Sequence, residues 1–147
     1  MKRSDNAGEI QGQILWRDDE TVVDGGKKVR DLAQTAQNLQ EAGLAQIQYM
    51  MTGKLDQFTL FASPFLEAMS HVTVAYLLLD AAIVAETERT QDEEQSQEEF
   101  DFYAGKVMSA KFYVNFILPQ ADALCRIIKS GDRSALDIPD RGFSTAW

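Results

Sequence analysis

The 147-residue chain holds 14 basic and 23 acidic residues, a net charge of −9, with 45% apolar and 25% charged residues. That length suits one domain whose core needs no metal or disulfide staple, and the acidic balance is a poor match to a protein that grips nucleic-acid phosphates. A single cysteine, Cys125, excludes an intrachain disulfide and a cysteine-built zinc site. The opening MKRSDNAGEI lacks the apolar stretch of a secretory signal, so a cytoplasmic protein is expected.

Helical signals dominate from there on. Proline occurs only at 64, 119 and 139, and no sustained apolar/polar alternation marks a strand. A first helix is expected to open after Asp24-Gly25-Gly26 and to stop at Gly53, a residue suited to a left-handed C-terminal cap. Its inward seam reads Val29, Leu32, Ala36, Leu39, Gly43, Ile47 and Met50, in steps of three and four, with Gln34, Gln37, Gln40, Gln46 and Gln48 largely between those positions. One further turn is expected near residues 55–61. Ser63-Pro64 then reads as cap and first position of a second helix.

Within that helix the run VTVAYLLLDAAIVA, opening on Val72 and closing on Ala85, has only Thr73 and Asp80 as polar members. It is too short for a bilayer span and carries a charge. A helix apolar nearly all round needs cover nearly all round, so this run is expected to meet a partner surface.

Eight carboxylates then crowd between Glu86 and Asp101 against the single cation Arg89. A calcium loop would alternate oxygen ligands around a glycine, and TERTQDEEQSQEEF has none. The run reads as a solvated link leading into a helix whose first turn favours carboxylates. That third helix carries Phe100, Tyr103, Val107, Ala110, Val114 and Ile117 inward, broadened by Met108, Phe112 and Phe116. The phase continues through Ala121, Leu124 and Ile128, which predicts one helix bent at Pro119, whose missing donor and ring crowd Asn115, with Gly131 closing it. The expected architecture is all-α: an antiparallel, up-down bundle of three long helices, the last kinked at a proline.

Chemistry-bearing clusters are sparse. His71, the only histidine, lies beside the apolar run and reads as structural; Glu67 stands four residues before it, whereas di-iron bundles pair Glu and His three apart, twice. Cys125, next to the inward Leu124, reads as a packed hydrophobe. Lys27, Lys28 and Arg30 read as a solvated helix face, and no phosphate-cradling glycine motif occurs. No metal site is predicted.

The stretches SPFLEAMSHVTVAYLLLDAAIVA and FYAGKVMSAKFYVNFILPQADALCRIIKSGD resemble the extra C-terminal helical domain of bacterial acyl-CoA dehydrogenases, the acetyl-CoA dehydrogenase C-terminal-like domain. The Lys-containing turn leading to Ala-Lys-Phe-Tyr and then Ile-Leu-Pro-Gln-Ala is the most specific part, and Asp24-Gly25-Gly26 looks like the junction that opens the domain. The resemblance divides the chain into residues 1–22, similar to the end of the flavin-associated helical domain, a bundle over 23–135 and a tail over 136–147. Glu9 to Leu15 look like the segment after the family's catalytic loop, Tyr-Glu-Gly-Thr-x-x-Ile-Gln, whose glutamate removes the α-proton of the thioester. Placing Ile10-Gln11 on that Ile-Gln puts Asp5 at the base, Asn6 at the glycine and Ala7 at the threonine. All three depart from the pattern and aspartate is one methylene shorter, so no catalytic residue is assigned. Gln11 alone carries over, as a residue beside the flavin.

The resemblance implies FAD in a parent enzyme, held by a β domain and helical domains upstream, and none bound to this chain alone. The expected role is structural or subunit-packing: the apolar second helix would meet the catalytic body of the dehydrogenase or another subunit, in a homo-oligomer. The alternative is a standalone helical interaction module without enzymatic activity.

Overall fold

The computed structural model describes residues 17–18, 21–22, 25–91 and 96–143. A two-residue antiparallel ladder comes first, β1 (Arg17–Asp18) pairing with β2 (Thr21–Val22). Every other described element is helical: α1 (Gly25–Met51), the short α2 (Leu55–Leu60), α3 (Ala62–Gln91), α4 (Gln97–Phe112), a π-helical turn (Tyr113–Ile117), α5 (Leu118–Ser130) and a 3₁₀ turn (Asp140–Phe143). The chain is all-α in architecture, with three long helical rods and one short helix packed together. The third rod is α4, the π turn and α5 run end to end.

The helix ends follow from their residues. Gly53, at φ 74°, ends α1: its N–H donates to the Met50 carbonyl and the Lys54 N–H to the Tyr49 carbonyl, the paired bonds of a Schellman cap. α3 begins at Ala62, so Pro64 stands third rather than first; the position remains within the first turn, where its missing donor costs nothing. Ser96 caps α4 in a capping box. Its hydroxyl accepts from the Glu99 N–H while the Glu99 carboxylate accepts from the Ser96 N–H at 3.1 Å. At the other end, Gly131 takes φ 63° and its carbonyl accepts from Gln57 Nε2 at 2.8 Å, while Tyr49 Oη donates to the Ile128 carbonyl at 2.8 Å. The end of α5 is thereby clasped by α1 and α2.

Alanine sets how closely the rods pack. Phe61, just before α3, and Ala68, Ala75 and Ala82 on it recur every seven residues and are all buried, facing Ala110, Val114, Leu118, Ala121, Cys125 and Ile128 of the third rod. Side chains this small let helix axes approach closely. A buried charge closes the far end: Glu86 is 1% exposed, and Arg89 grips its carboxylate with two bonds of 2.7 and 2.9 Å while lying over the Phe100 ring.

Two expected seams shift in register. On the third rod Ala110, Val114, Ala121 and Ile128 are buried as expected, but Leu118 and Cys125 are buried with them while Ile117 and Leu124 are only half-buried. The cause is the π turn: the Leu118 N–H donates to the Tyr113 carbonyl, five residues back, which adds a residue to the turn and brings Leu118 and Cys125 inward in place of Ile117 and Leu124. A π turn is what the structure shows ahead of Pro119; a kink is not shown. On α1 the buried face is Leu32, Thr35, Leu39, Ala42, Gln46 and Tyr49, whereas Val29, Ala36, Ile47 and Met50 of the expected seam are exposed. Polar chemistry turns the helix this way. Thr35 Oγ1 and Asn38 Nδ2 donate to the two oxygens of Asp122 on α5, at 3.1 and 2.8 Å, so a face that periodicity reads as solvent-side lies in the interface. Met108, Phe112 and Phe116, expected to widen the buried stripe, lie outside it and are exposed, with Phe112 and Phe116 stacked at 5.1 Å.

Gly131→Ala is expected to destabilise the chain by about 1–2 kcal/mol, because a Cβ there would sit in the left-handed region and 3.0 Å from Tyr49 Oη; urea unfolding measures it. A second expectation concerns acid. The Asp56 carboxyl is held below its usual range by the Gln57 N–H and by Arg133, and the Glu99 carboxyl by Ser96. Depressed carboxylate pKa values contribute stability that is complete above the unfolded range, roughly pH 4, and is lost as pH falls through the lowered folded values. Thermal melts from neutral to acidic pH should show that decline, and Ser96→Ala should flatten part of it.

Candidate functional site

Several ionisable and nucleophilic groups that sequence singles out are engaged in the fold. His71, 17% exposed in its side chain, places Nδ1 3.2 Å from Tyr113 Oη and Nε2 3.7 Å from the Glu67 carboxylate, tying α3 to the π turn. Burial pushes the Tyr113 hydroxyl pKa up. Cys125 is fully buried and burial pushes its thiol pKa up, the reverse of what a nucleophile needs. Lys28 donates to Asn115, so one member of the basic cluster pins α1 to the π turn. Glu41 accepts from Lys129 at 2.7 Å, and Asp56 from Arg133 at 2.9 Å. Among the described residues no three His, Cys, Asp or Glu side chains come together as metal ligands. Gln11 and Asp5 lie outside the described residues.

What the structure leaves open is apolar surface. Along α3, Leu66, Tyr76, Leu77 and Val84 are each more than half exposed, while Ala75, Leu79, Ala82 and Ala85 are buried on the opposite side. The hydroxyls nearest this stripe are spent on their own backbone: Ser70 donates to the Glu67 carbonyl and Thr73 to that of Met69. The stripe therefore presents mainly carbon, with the Tyr76 hydroxyl and the exposed Asp80 carboxylate as its polar members. Residues 62–89 form the one helix among the described residues long and apolar enough, by length and composition, to cross a membrane; here one face of it packs on α1, α4 and α5.

Beside the stripe, α1, α2 and the start of α3 enclose an open groove of about 590 Å³. Its walls are Gln40, Leu44, Ile47 and Met50 from α1, Phe58 from α2, and Ala62, Phe65 and Leu66 from α3; Gly43 and Gln46 complete the lining. The Phe65 ring approaches to where a Gly43 Cβ would be 3.4 Å away, so the glycine sets the depth. Gln46 is 4% exposed and its Oε1 has no hydrogen-bond partner. A flavin dinucleotide brings a pyrophosphate that calls for cationic side chains or free helix-terminal N–H groups. The groove lining holds no Lys, Arg, Ser or Thr, so it does not fit that cofactor.

These features define an all-α helical domain whose outer faces carry exposed apolar side chains. Residues 8–139 match the family described as acetyl-CoA dehydrogenase C-terminal like, and the chain belongs to that family. Two butyryl-CoA dehydrogenases of Syntrophomonas wolfei subsp. wolfei (strain DSM 2245B / Goettingen) are similar to it, at 35% identity over 86 residues and 32% over 84. Each alignment covers 57% of this chain and 14% of the relative. No solved structure matches significantly.

The α3 stripe is legible as an apolar run; the groove is not, because periodicity places its α1 wall of Gly43, Ile47 and Met50 in the inward seam. The signal that could have found it is charge: between residues 32 and 53 the only charged side chain is Glu41, too few for a helix with one face in water. Asp122→Ala is expected to cost about 1–3 kcal/mol of stability by taking the acceptor from buried Thr35 and from Asn38. Asp122→Asn should recover part of that loss in urea titrations.

Proposed function

We propose that this chain is the C-terminal helical domain of a flavin-dependent, cytoplasmic acyl-CoA dehydrogenase, and that its own role is to pack. In this reading α,β-dehydrogenation of acyl-CoA thioesters belongs to the whole enzyme, whose FAD is bound by other domains. The bundle over residues 23–135 docks through the exposed side of α3 on the catalytic body or on another subunit of a homo-oligomer. The observation that carries the reading is the α3 stripe, more than half exposed at Leu66, Tyr76, Leu77 and Val84 in a chain of this family. Large apolar side chains gathered on one exposed helix face, with Thr73 and Asp80 among them, support an interface there. The butyryl-CoA dehydrogenase relatives support the choice of enzyme class.

The purified 147-residue chain is expected to be colourless after desalting and inert toward butyryl-CoA with an artificial electron acceptor. A flavin band that survives desalting, or turnover above background, overturns the reading. In a dehydrogenase that carries this domain, Leu77→Lys should weaken docking by about 2 kcal/mol, the scale of one buried leucine, and lower the melting temperature while helical circular dichroism holds. An unchanged melt would remove α3 as the docking face.

A further inference from the structure

The inward polar side chains of α1 differ in what they find. Thr35 donates to Asp122 and Tyr49 to the Ile128 carbonyl, both on α5. Gln46 is buried like Thr35, yet its Oε1 has no hydrogen-bond partner. Leaving a buried acceptor unpaired costs stability. Buried side-chain acceptors are nearly always paired, so a lone one at a cavity wall points to a donor that arrives from outside the chain. Gln46 lines the groove between α1, α2 and the start of α3, one helical turn from Gly43 and one from Met50. Water is a poor candidate for the missing donor. A bound water needs two or more polar partners, and besides Gln46 the lining offers only the exposed side chain of Gln40.

We propose that the groove binds a small neutral molecule, an apolar body carrying one hydroxyl or amide donor that pairs with Gln46. Its volume of about 590 Å³ falls within the roughly 300–1,000 Å³ of small-molecule sites. The ligand is neutral because the lining holds no charged side chain, and an ionised group placed there would lose its water without gaining a counterion. Its body is carbon because the walls are. Phe58 and Phe65 stand half-buried within, and Leu44, Ile47, Met50 and Leu66 form an exposed rim. Gly43 makes the room, since a Cβ there would meet the Phe65 ring at 3.4 Å. A docked helix answers this pattern less well. Its backbone N–H groups are spent on its own carbonyls, so it would lay apolar side chains over the unpaired amide. A rim of carbon also lacks the polar groups that surround a protein interface. The inference is independent of what docks on α3, and Leu66 is the one residue the groove shares with that stripe.

Titration of the 147-residue chain with para-pentylphenol and with its methyl ether, followed by NMR of the methionine methyl groups, tests it. The ether differs only in carrying a methyl group where the phenol carries its donor proton. Met50 lines the groove and Met69 and Met108 do not, so the methyl that moves locates the probe. The phenol should shift the Met50 methyl saturably and bind at least about threefold more tightly than the ether, as befits one hydrogen bond offset by the ether's more apolar body. Gln46→Leu should abolish or invert that preference. Without any probe it should also raise the urea midpoint, because it removes an unpaired buried acceptor. Absence of a saturable Met50 shift overturns the proposal, as does equal affinity for the two probes. A preference for the phenol that survives Gln46→Leu, or a variant no more stable than the parent chain, removes Gln46 as the partner and overturns it as well. So does a Met50 methyl that shifts with protein concentration alone, the result expected if the groove awaits another chain.

Discussion

Close approach of helices through alanine is the constraint on which the rest of this fold depends. Ala68, Ala75 and Ala82 on α3 meet Ala110 and Ala121 on the third rod with no solvent exposure at any of the five, and Ala42 brings α1 to the same standard. Such a core is thin. It offers little volume for large side chains, so Leu, Met, Phe and Tyr residues that would fill the centre of a wider bundle stand on the outside: Leu44 and Met51 on α1, Tyr76 and Leu77 on α3, Phe112 and Phe116 on the third rod. Exposed apolar surface and tight interior are two results of one choice of residue size.

With so little bulk inside, polar contacts take over the task of fixing register. α1 is matched to the third rod by a ladder of them: Lys28 with Asn115, Thr35 and Asn38 with Asp122, Glu41 with Lys129, and Tyr49 with the Ile128 carbonyl. These lie at steps of three to eight residues along α1, so sliding the helices by one turn would break the whole set. The π turn belongs to the same logic. Pro119 has no N–H for a carbonyl behind it, and the widened turn places Leu118 and Cys125, rather than Ile117 and Leu124, against α3. Gln120 Nε2 donates to the Phe116 carbonyl beside it, at 3.1 Å.

Element existence was legible in the residues. Gly53 and Gly131 marked both helix ends that they cap, and the acidic run marked the start of the third rod to within a residue or so. The register of the buried faces was less legible, for two separate reasons. On α1, Ala36, Gly43 and Ile47 form as good an apolar seam as Thr35, Ala42 and Gln46, and only the reach of Thr35 and Asn38 to Asp122, 84 and more residues away, decides between them. On the third rod a period of three and four cannot announce an inserted residue, and nothing in Tyr113 to Ile117 signals one locally. The family emerged from diffuse patterns over two helices, whereas the groove escaped notice because a seam that serves as surface looks, in sequence, like a seam that serves as core.

The lone thiol gives this domain a gauge of its own motion. Cys125 sits at the meeting of α1, α3 and α5 with no solvent exposure, and burial keeps it in the protonated, unreactive form. A thiol reagent can reach it only when the alanine-lined contact parts, so the labelling rate under native conditions reports how often the helices separate rather than how reactive the sulfur is. The wild-type chain thus needs no introduced probe to read out breathing of its tightest seam, and anything that binds its outer faces and stiffens the bundle will register as slower labelling.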